Sequence, residues 1–154
     1  MHQHAPDADA RPTLAGDLLT RDLATLSQSA TVSEAAALMR HLDVRHLPVL
    51  GTTRLLGLVH LDDVMGATVD EAGRSVGALA RSVPSVCPDD HERSVAAAVT
   101  RSRCGAVVVL DQQGRLCGVI AETDLLLDAE RRLRTSLRPP RSEPLAATGT
   151  STRG

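Results

Sequence analysis

The sequence predicts a mixed α/β (α+β) fold made of two copies of one unit of about 60 residues, and three observations carry that prediction. At an offset of 60, Ala24-Thr25-Leu26-Ser27 falls on Pro84-Ser85-Val86-Cys87, and Leu47-Pro48-Val49-Leu50 falls on Val107-Val108-Val109-Leu110. One extra residue then enters the second copy's turn, and at an offset of 61 Arg54 to Val59 falls on Arg115 to Ile120 and Asp63-Val64 on Asp124-Leu125. Within each copy the apolar residues recur first at helical period, as in Ala35 to Met39 and Val95 to Val99, and then in short β-rich runs separated by a turn.

Each element follows from local chemistry. Thr31 and Glu34 have the spacing of a capping box, which satisfies the first free N–H groups of a helix. They introduce Val32, Ala35, Ala36, Met39 and Leu42, which share one helical face. His46 to Leu50 and Leu55 to Val59 read as a hairpin across Gly51-Thr52-Thr53, followed by a short helix from about Leu61 to Val69. The second copy places strands at Ala106–Leu110 and Arg115–Ile120 around Asp111-Gln112-Gln113-Gly114, where Gly114 suits a positive φ. Its closing helix extends from about Glu122 to Leu137, with Leu126, Ala129, Leu133 and Leu137 on one face. Asp128/Arg132 and Glu130/Arg134 form favourable i,i+4 pairs there, and Pro139-Pro140 ends the helix. Residues 1–13 and 136–154 read as disordered tails, 14–69 and 76–135 as two domains, and 70–75 as the linker between them.

Composition removes several function classes. The 154 residues carry 17 basic and 19 acidic side chains, a formal charge of −2 that argues against broad electrostatic binding to DNA or a membrane. Phe, Tyr and Trp are absent, which excludes base stacking on aromatic rings and aromatic cages for methylated amines. Lys and Asn are absent as well, so no lysine Schiff base can form, and the bias points to a high-GC bacterial genome. Cys87, Cys104 and Cys117 are odd in number and form no CxxC pair. With no apolar leader, they are expected to be reduced, mostly buried residues of a cytoplasmic protein. The longest apolar run, Ala106 to Leu110, is too short to span a bilayer. No GxSxG, P-loop or dinucleotide fingerprint occurs, so the chain is expected not to be an enzyme. His41, His46 and His60 are not expected to converge on a metal, and His2 and His4 lie in the leading tail.

The words Asp17-Leu18-Leu19-Thr20-Arg21-Asp22, Thr31-Val32-Ser33-Glu34-Ala35-Ala36-Ala37-Leu38-Met39, Val44-Arg45-His46-Leu47-Pro48-Val49 and Gly57-Leu58-Val59-His60-Leu61-Asp62-Asp63-Val64 occur in that order. In the second copy Pro88-Asp89-Asp90, Val107 to Gly118 and Thr123-Asp124-Leu125-Leu126 are similar. Together, over about residues 14–135, they resemble the CBS domain, the module named after cystathionine β-synthase. The resemblance implies two β-α-β-β-α units packed as a pseudo-two-fold pair that forms a homodimer. It also implies clefts that take an adenosine-containing ligand, AMP, ADP, ATP or S-adenosylmethionine, as a regulatory ligand and not a cofactor. Fewer than 20 residues flank the pair on each side, so the expectation is that any regulated effector is another chain.

The family's ligand signature is Gly-h-x-(Ser/Thr)-x-x-Asp, where h is hydrophobic. Its carboxylate accepts from a ribose diol, and the helix start favours phosphate nearby. Both carboxylates are present, as Asp63 and Asp124, whereas His60 and Ala121 replace the hydroxyls. The resemblance further implies aliphatic walls for adenine at Leu26, Leu47, Pro48 and Val59, and at Val86, Val107 and Val119, with polar contacts at Thr25 and Ser85. Arg45 and His46 are candidate phosphate donors, matched in the second copy only by Gly105-Ala106, which places the better phosphate site at the first repeat. His60 is a candidate group titrating near neutral pH beside the ligand. Two other readings stand beside this one. In the first, the pair is a ligand-free dimerisation and interaction scaffold, with Asp63 and Asp124 only stabilising their own helices. In the second, Arg131, Arg132, Arg134, Arg138, Arg141 and Arg153 form a basic arm for nucleic acid, though arginines near a helix C-terminus are favoured in any case.

Overall fold

A computed structural model describes residues 11–21 and 23–137, so the N-terminal residues 1–10 and the arginines beyond 137 lie outside the described residues. The chain opens with a one-turn helix, α1 (Ala15–Leu18), and then builds the first unit from β1 (Leu26–Ser27), α2 (Val32–Leu42), β2 (His46–Leu50), β3 (Leu55–His60) and α3 (Leu61–Met65). The second unit repeats it as β4 (Ser85–Val86), α4 (Glu92–Arg101), β5 (Ala106–Leu110), β6 (Leu116–Ala121) and α5 (Glu122–Ser136). Each unit holds a three-stranded sheet in order β1-β2-β3 or β4-β5-β6, with the first pair parallel and the hairpin antiparallel.

The capping box forms as the sequence requires. Thr31 Oγ1 accepts from Glu34 N–H at 3.1 Å, and the Glu34 carboxylate accepts from Thr31 N–H at 2.7 Å. Val32, Ala35 and Met39 are buried, but Leu42 is 40% exposed because α2 ends there, with Asp43 at a left-handed φ of 53°. The helix expected to reach Val69 stops at Met65. Gly66 caps it, and Thr68 N–H donates to the Glu71 carboxylate to start a separate 3-10 turn at Val69–Glu71. Gly114 has the positive φ its turn demands, 76°. The cysteines depart from expectation: Cys87 is exposed, and Cys104 and Cys117 are only half-buried.

The two units exchange their leading segments. Residues 14–20 precede β1 in sequence but pack on the second unit. Ala15 N–H donates to the Asp90 carbonyl, Gly16 N–H to Pro88 and Thr20 N–H to Val119, at 2.8, 2.8 and 3.0 Å. Residues 75–81 repay this on the first unit, where Val76 N–H donates to Ala30, Gly77 N–H to Gln28 and Arg81 N–H to Leu58, at 2.7, 3.1 and 2.8 Å. The donors correspond at the offset of 61 and the acceptors at 60 or 61, so the exchange obeys a pseudo-two-fold axis. The cores record it too. Ala15 and Leu18 belong to the cluster of Val86, Val95 and Ile120, and Val76 belongs to that of Leu26, Met39 and Leu47. A third cluster, of Leu58, Ala106, Val108 and Val119, joins the two sheets face to face.

Two equivalent glycines permit the crossing. A Cβ on Gly57 would stand 2.0 Å from the Arg81 carbonyl oxygen, and one on Gly118 would stand 2.5 Å from that of Thr20. Gly57 also has a φ of 150°, outside the range of ordinary side-chain-bearing residues, and so carries strain on substitution as well as a clash. Gly57→Ala is expected to destabilise the protein by about 3 kcal/mol or more, and Gly118→Ala by about 2 kcal/mol. Urea unfolding of both variants measures the difference, and equal midpoints for wild type and Gly57→Ala would refute the close crossing.

Candidate functional site

A groove of about 570 Å³ lies where the two units meet, at the ends of the hairpins that carry the helix starts. The first unit contributes Val44, Arg45, His46, His60 and Asp62, and the second contributes Cys104, Gly105, Val119, Ala121, Glu122, Thr123 and Asp124. Thr20 and Leu23, from the crossing segment, and Asp43 complete it. Val44/Cys104, Arg45/Gly105, His60/Ala121 and Asp62/Thr123 are equivalents in the repeat, so the groove straddles the pseudo-two-fold axis.

Local structure explains each position. His46 and His60 are opposite residues of β2 and β3, and cross-strand pairing sets their rings 4.7 Å apart, edge to face. Thus two of the three histidines not expected to converge do meet, whereas His41 is exposed on α2. Among the described residues no group of three or more His, Cys, Asp or Glu side chains is arranged to hold a metal ion. His46 Nε2–H donates to the Cys104 carbonyl at 2.8 Å and ties the two units together. Asp124 stands at the third position of α5, and its Oδ2 accepts from Ala121 N–H at 2.8 Å, the carboxylate half of a capping box whose hydroxyl half Ala121 cannot supply.

The electrostatics are uneven. Burial raises the Asp124 carboxyl above its ordinary range, opposed by the Ala121 N–H. Burial also acts to lower His46, but its hydrogen bonds and charge interaction with Cys104 outweigh this, and the imidazole is raised. The Cys104 thiol answers in kind: burial pushes it up, while His46 and Ser102 pull it further down. His60 is lowered, first by burial and then by the facing His46. Its Nδ1 accepts from Asp62 N–H at 3.1 Å, a bond that the neutral ring makes. Of the two histidines, His46 and not His60 is therefore the one poised to gain a proton.

The expected site residues divide sharply. Arg45, His46, His60, Val119, Ala121 and Asp124 line the groove together. Leu26, Leu47, Pro48, Val59, Val86 and Val107 are buried in the cores, and Ser85 is exposed on β4 outside the groove. Thr25 lines a separate depression at the hairpin turns, with Arg54 and Arg115. Asp63 is not in the groove: Arg81 grips it with two hydrogen bonds, Nε to Oδ2 at 2.8 Å and Nη2 to Oδ1 at 2.6 Å. The cationic pair of the first repeat accordingly faces the carboxylate of the second, and the expectation that placed Arg45, His46 and Asp63 in one site does not match this geometry. Thr20, Leu23, Asp43, Asp62, Cys104 and Glu122 were not anticipated. The repeat offset links Cys104 to Val44 and Asp62 to Thr123, a signal that becomes readable once one member of each pair is placed.

Comparison with known proteins agrees with this architecture. The model of the family described as CBS domain matches residues 15–70 and 74–129. Homoserine O-acetyltransferase of Methanohalophilus mahii is 30% identical over 107 residues, which is 69% of this chain and 22% of that protein. The chain thus spans under a quarter of the length of the curated relatives it matches first. The CBS-pair protein CBSX2 from Arabidopsis thaliana superposes with a TM-score of 0.68 at 23% identity, over 80% of this chain and 99% of that one. The CBS domain of a bacterial CNNM/CorC family Mg2+ transporter, in complex with ATP, superposes at 0.67 and 19% identity, over 74% and 84%. Two family matches, falling on two units that exchange their leading segments about a pseudo-two-fold axis, place the chain in the CBS domain family as a tandem pair.

Proposed function

We propose that this CBS pair is a regulatory module that binds one adenosine-containing ligand in the groove between its units and relays occupancy to an effector protein. The observation that carries the reading is the convergence of the Asp124 carboxylate of one unit with the Arg45 guanidinium and His46 imidazole of the other. Asp124 Oδ2 is held by the Ala121 N–H, which fixes the carboxylate in the groove wall, and a carboxylate accepts well from a ribose cis-diol. Thr20, Leu23 and Val119 supply a polar contact and aliphatic wall at that end, suited to a purine without aromatic stacking. Arg45 and the α5 N-terminus offer donors and positive potential to a phosphate or carboxylate on the ligand.

Charge narrows the ligand class. Among the described residues four carboxylates, Asp43, Asp62, Glu122 and Asp124, line the groove against one guanidinium, that of Arg45, which lies 3.7 Å from Asp62. Such a lining repels a bare triphosphate and accepts a ligand of low or positive charge, S-adenosylmethionine or AMP ahead of ATP. The same reasoning makes Mg2+ a helper for ATP.

The pair also presents a surface for self-association. Leu126 and Leu133 lie on one face of α5 and are 68% and 64% exposed, while Arg132 on the opposite flank is bound to Glu92 and Asp128. A two-fold contact along this stripe would cover both leucines in a homodimer. Among the described residues no helix is long and apolar enough to cross a membrane.

Calorimetry with AMP, ATP and S-adenosylmethionine is expected to give tighter binding for the first and third than for Mg2+-free ATP. Asp124→Ala should weaken binding by about tenfold to a hundredfold, as loss of a charged hydrogen-bond acceptor does. No heat and no rise in Tm with AMP, ADP, ATP or S-adenosylmethionine would leave the pair a ligand-free scaffold. AMP affinity should rise from about pH 8 to about pH 6. His46, raised above its ordinary value and facing His60, Arg45, Cys104 and Asp124, gains its proton over this interval and adds a cation beside the phosphate. His46→Gln should flatten the profile, and a profile unchanged by that substitution would assign the titration elsewhere. Sedimentation of Leu126→Glu/Leu133→Glu is expected to give monomers where wild type gives dimers. A dimer surviving both charges would move the interface off α5.

A further inference from the structure

The contact between the two units is polarised in charge. The groove at the helix starts is lined by four carboxylates and one guanidinium. A second cavity, of about 520 Å³, lies at the hairpin turns and is lined by Arg21, Arg54 and Arg115 and, among the described residues, by no carboxylate. The whole chain has 19 acidic and 17 basic side chains, so composition does not produce this separation. The three arginines come from separate segments. Arg54 and Arg115 begin the second strand of each hairpin and are equivalents at the offset of 61, whereas Arg21 follows the crossing residue Thr20 and has Ser82 as its equivalent. Their partners differ as well. Arg115 Nε donates to the Asp111 carboxylate at 2.9 Å, while Arg21 Nη2 donates only to the uncharged Gly16 carbonyl, at 3.2 Å. The Arg54 side chain makes no hydrogen bond or ion pair among the described residues. Two guanidiniums thus share one cavity without a carboxylate partner, a repulsion that a bound anion would relieve.

We infer that the hairpin-turn cavity is a separate binding site for a small phosphate monoester. Above its second pKa of about 6 a monoester is a dianion, which matches the two guanidiniums without a carboxylate partner. Its three terminal oxygens accept from several directions at once, as three arginines on three segments require, whereas a planar carboxylate is met by one fork. Thr25 and Thr52 add hydroxyls to the lining, and Thr52 Oγ1 accepts from Gln28 Nε2 at 3.4 Å, which leaves its own O–H free to donate. Leu55 and Leu116, equivalents in the repeat and both half-buried, give an apolar wall for the ester's carbon body. The site goes beyond the groove reading and does not rest on it, because the two cavities have opposite charge and share only Leu23 among their lining residues. Cys117 gives the cavity its own reporter: it lines this site, Cys104 lines the groove, and Cys87 lines neither.

The test uses glycerol 2-phosphate at about pH 8, where the monoester is doubly charged. In a Cys87→Ser/Cys104→Ser chain, alkylation of Cys117 by neutral iodoacetamide is followed by mass spectrometry, and calorimetry on the wild-type chain reads the affinity independently. The ester at millimolar concentration should slow alkylation several-fold and release heat, and sodium chloride or acetate at equal ionic strength should do neither. Arg54→Gln, at an exposed turn residue, should weaken binding about tenfold, and Arg21→Gln by a similar factor, each with an unchanged Tm in the absence of ester. Arg45→Gln, which alters the groove, should leave the protection of Cys117 intact. No heat and no protection overturns the site, as does equal protection by chloride or acetate. Binding lost in Arg45→Gln but kept in Arg54→Gln also overturns it, and assigns the phosphate to the groove.

Discussion

Thr20 and Arg81 each cross a glycine of the other unit so closely that no side chain fits between, and most of the molecule depends on that approach. The crossing lets the backbone of each leading segment pair with β3 or β6, which stitches the two sheets through main-chain hydrogen bonds. It also carries α1 into the core of the second unit and Val76 into the core of the first, so neither unit completes its core with its own sequence alone. The groove inherits its shape from the same geometry, because the residue that crosses decides whether the neighbouring carboxylate is reached.

A core without aromatic rings is consistent with this construction. Its largest fully buried side chains are Met39, Leu47, Leu58 and Ile120, and no polar or charged side chain is buried among the described residues. Small aliphatic groups bring little area each, so stability must come from close packing over many contacts and from three connected clusters. The sheet-to-sheet cluster of Leu58, Ala106, Val108 and Val119 is built from such residues, and it lies directly beneath the groove through Val119. Ligand binding and the docking of the two units thus share a wall, which is a physical route by which occupancy can alter the surface offered to an effector.

The groove's electrostatics separate two histidines that look alike in sequence. His46 donates to a carbonyl of the other unit and sits near a thiol, while His60 accepts from the helix it precedes. Burial lowers both imidazoles, but the hydrogen bonds and charge of Cys104 raise His46 in spite of it, whereas the facing His46 lowers His60 further. One histidine is thereby left to respond to pH, and the other serves as a helix cap.

Much of the fold was legible because its signals are local. The Thr31–Glu34 box, the hairpin turn with Gly114 and the β-rich runs depend on residues within a few positions of each other, and the offsets of 60 and 61 revealed that the pattern occurs twice. The presence of Asp63 and Asp124 at equivalent places was legible for the same reason. What they face was not. Arg81 is 18 residues from Asp63, and Arg45 is far from Asp124, so only the exchange of leading segments and the face-to-face packing of the sheets bring each pair together or keep it apart. By itself the sequence determined the two units, their element order and the chemistry available at each helix start. The tertiary structure alone decided which carboxylate stays open, because a long-range crossing, not a local spacing, sets Thr20 against one and Arg81 against the other.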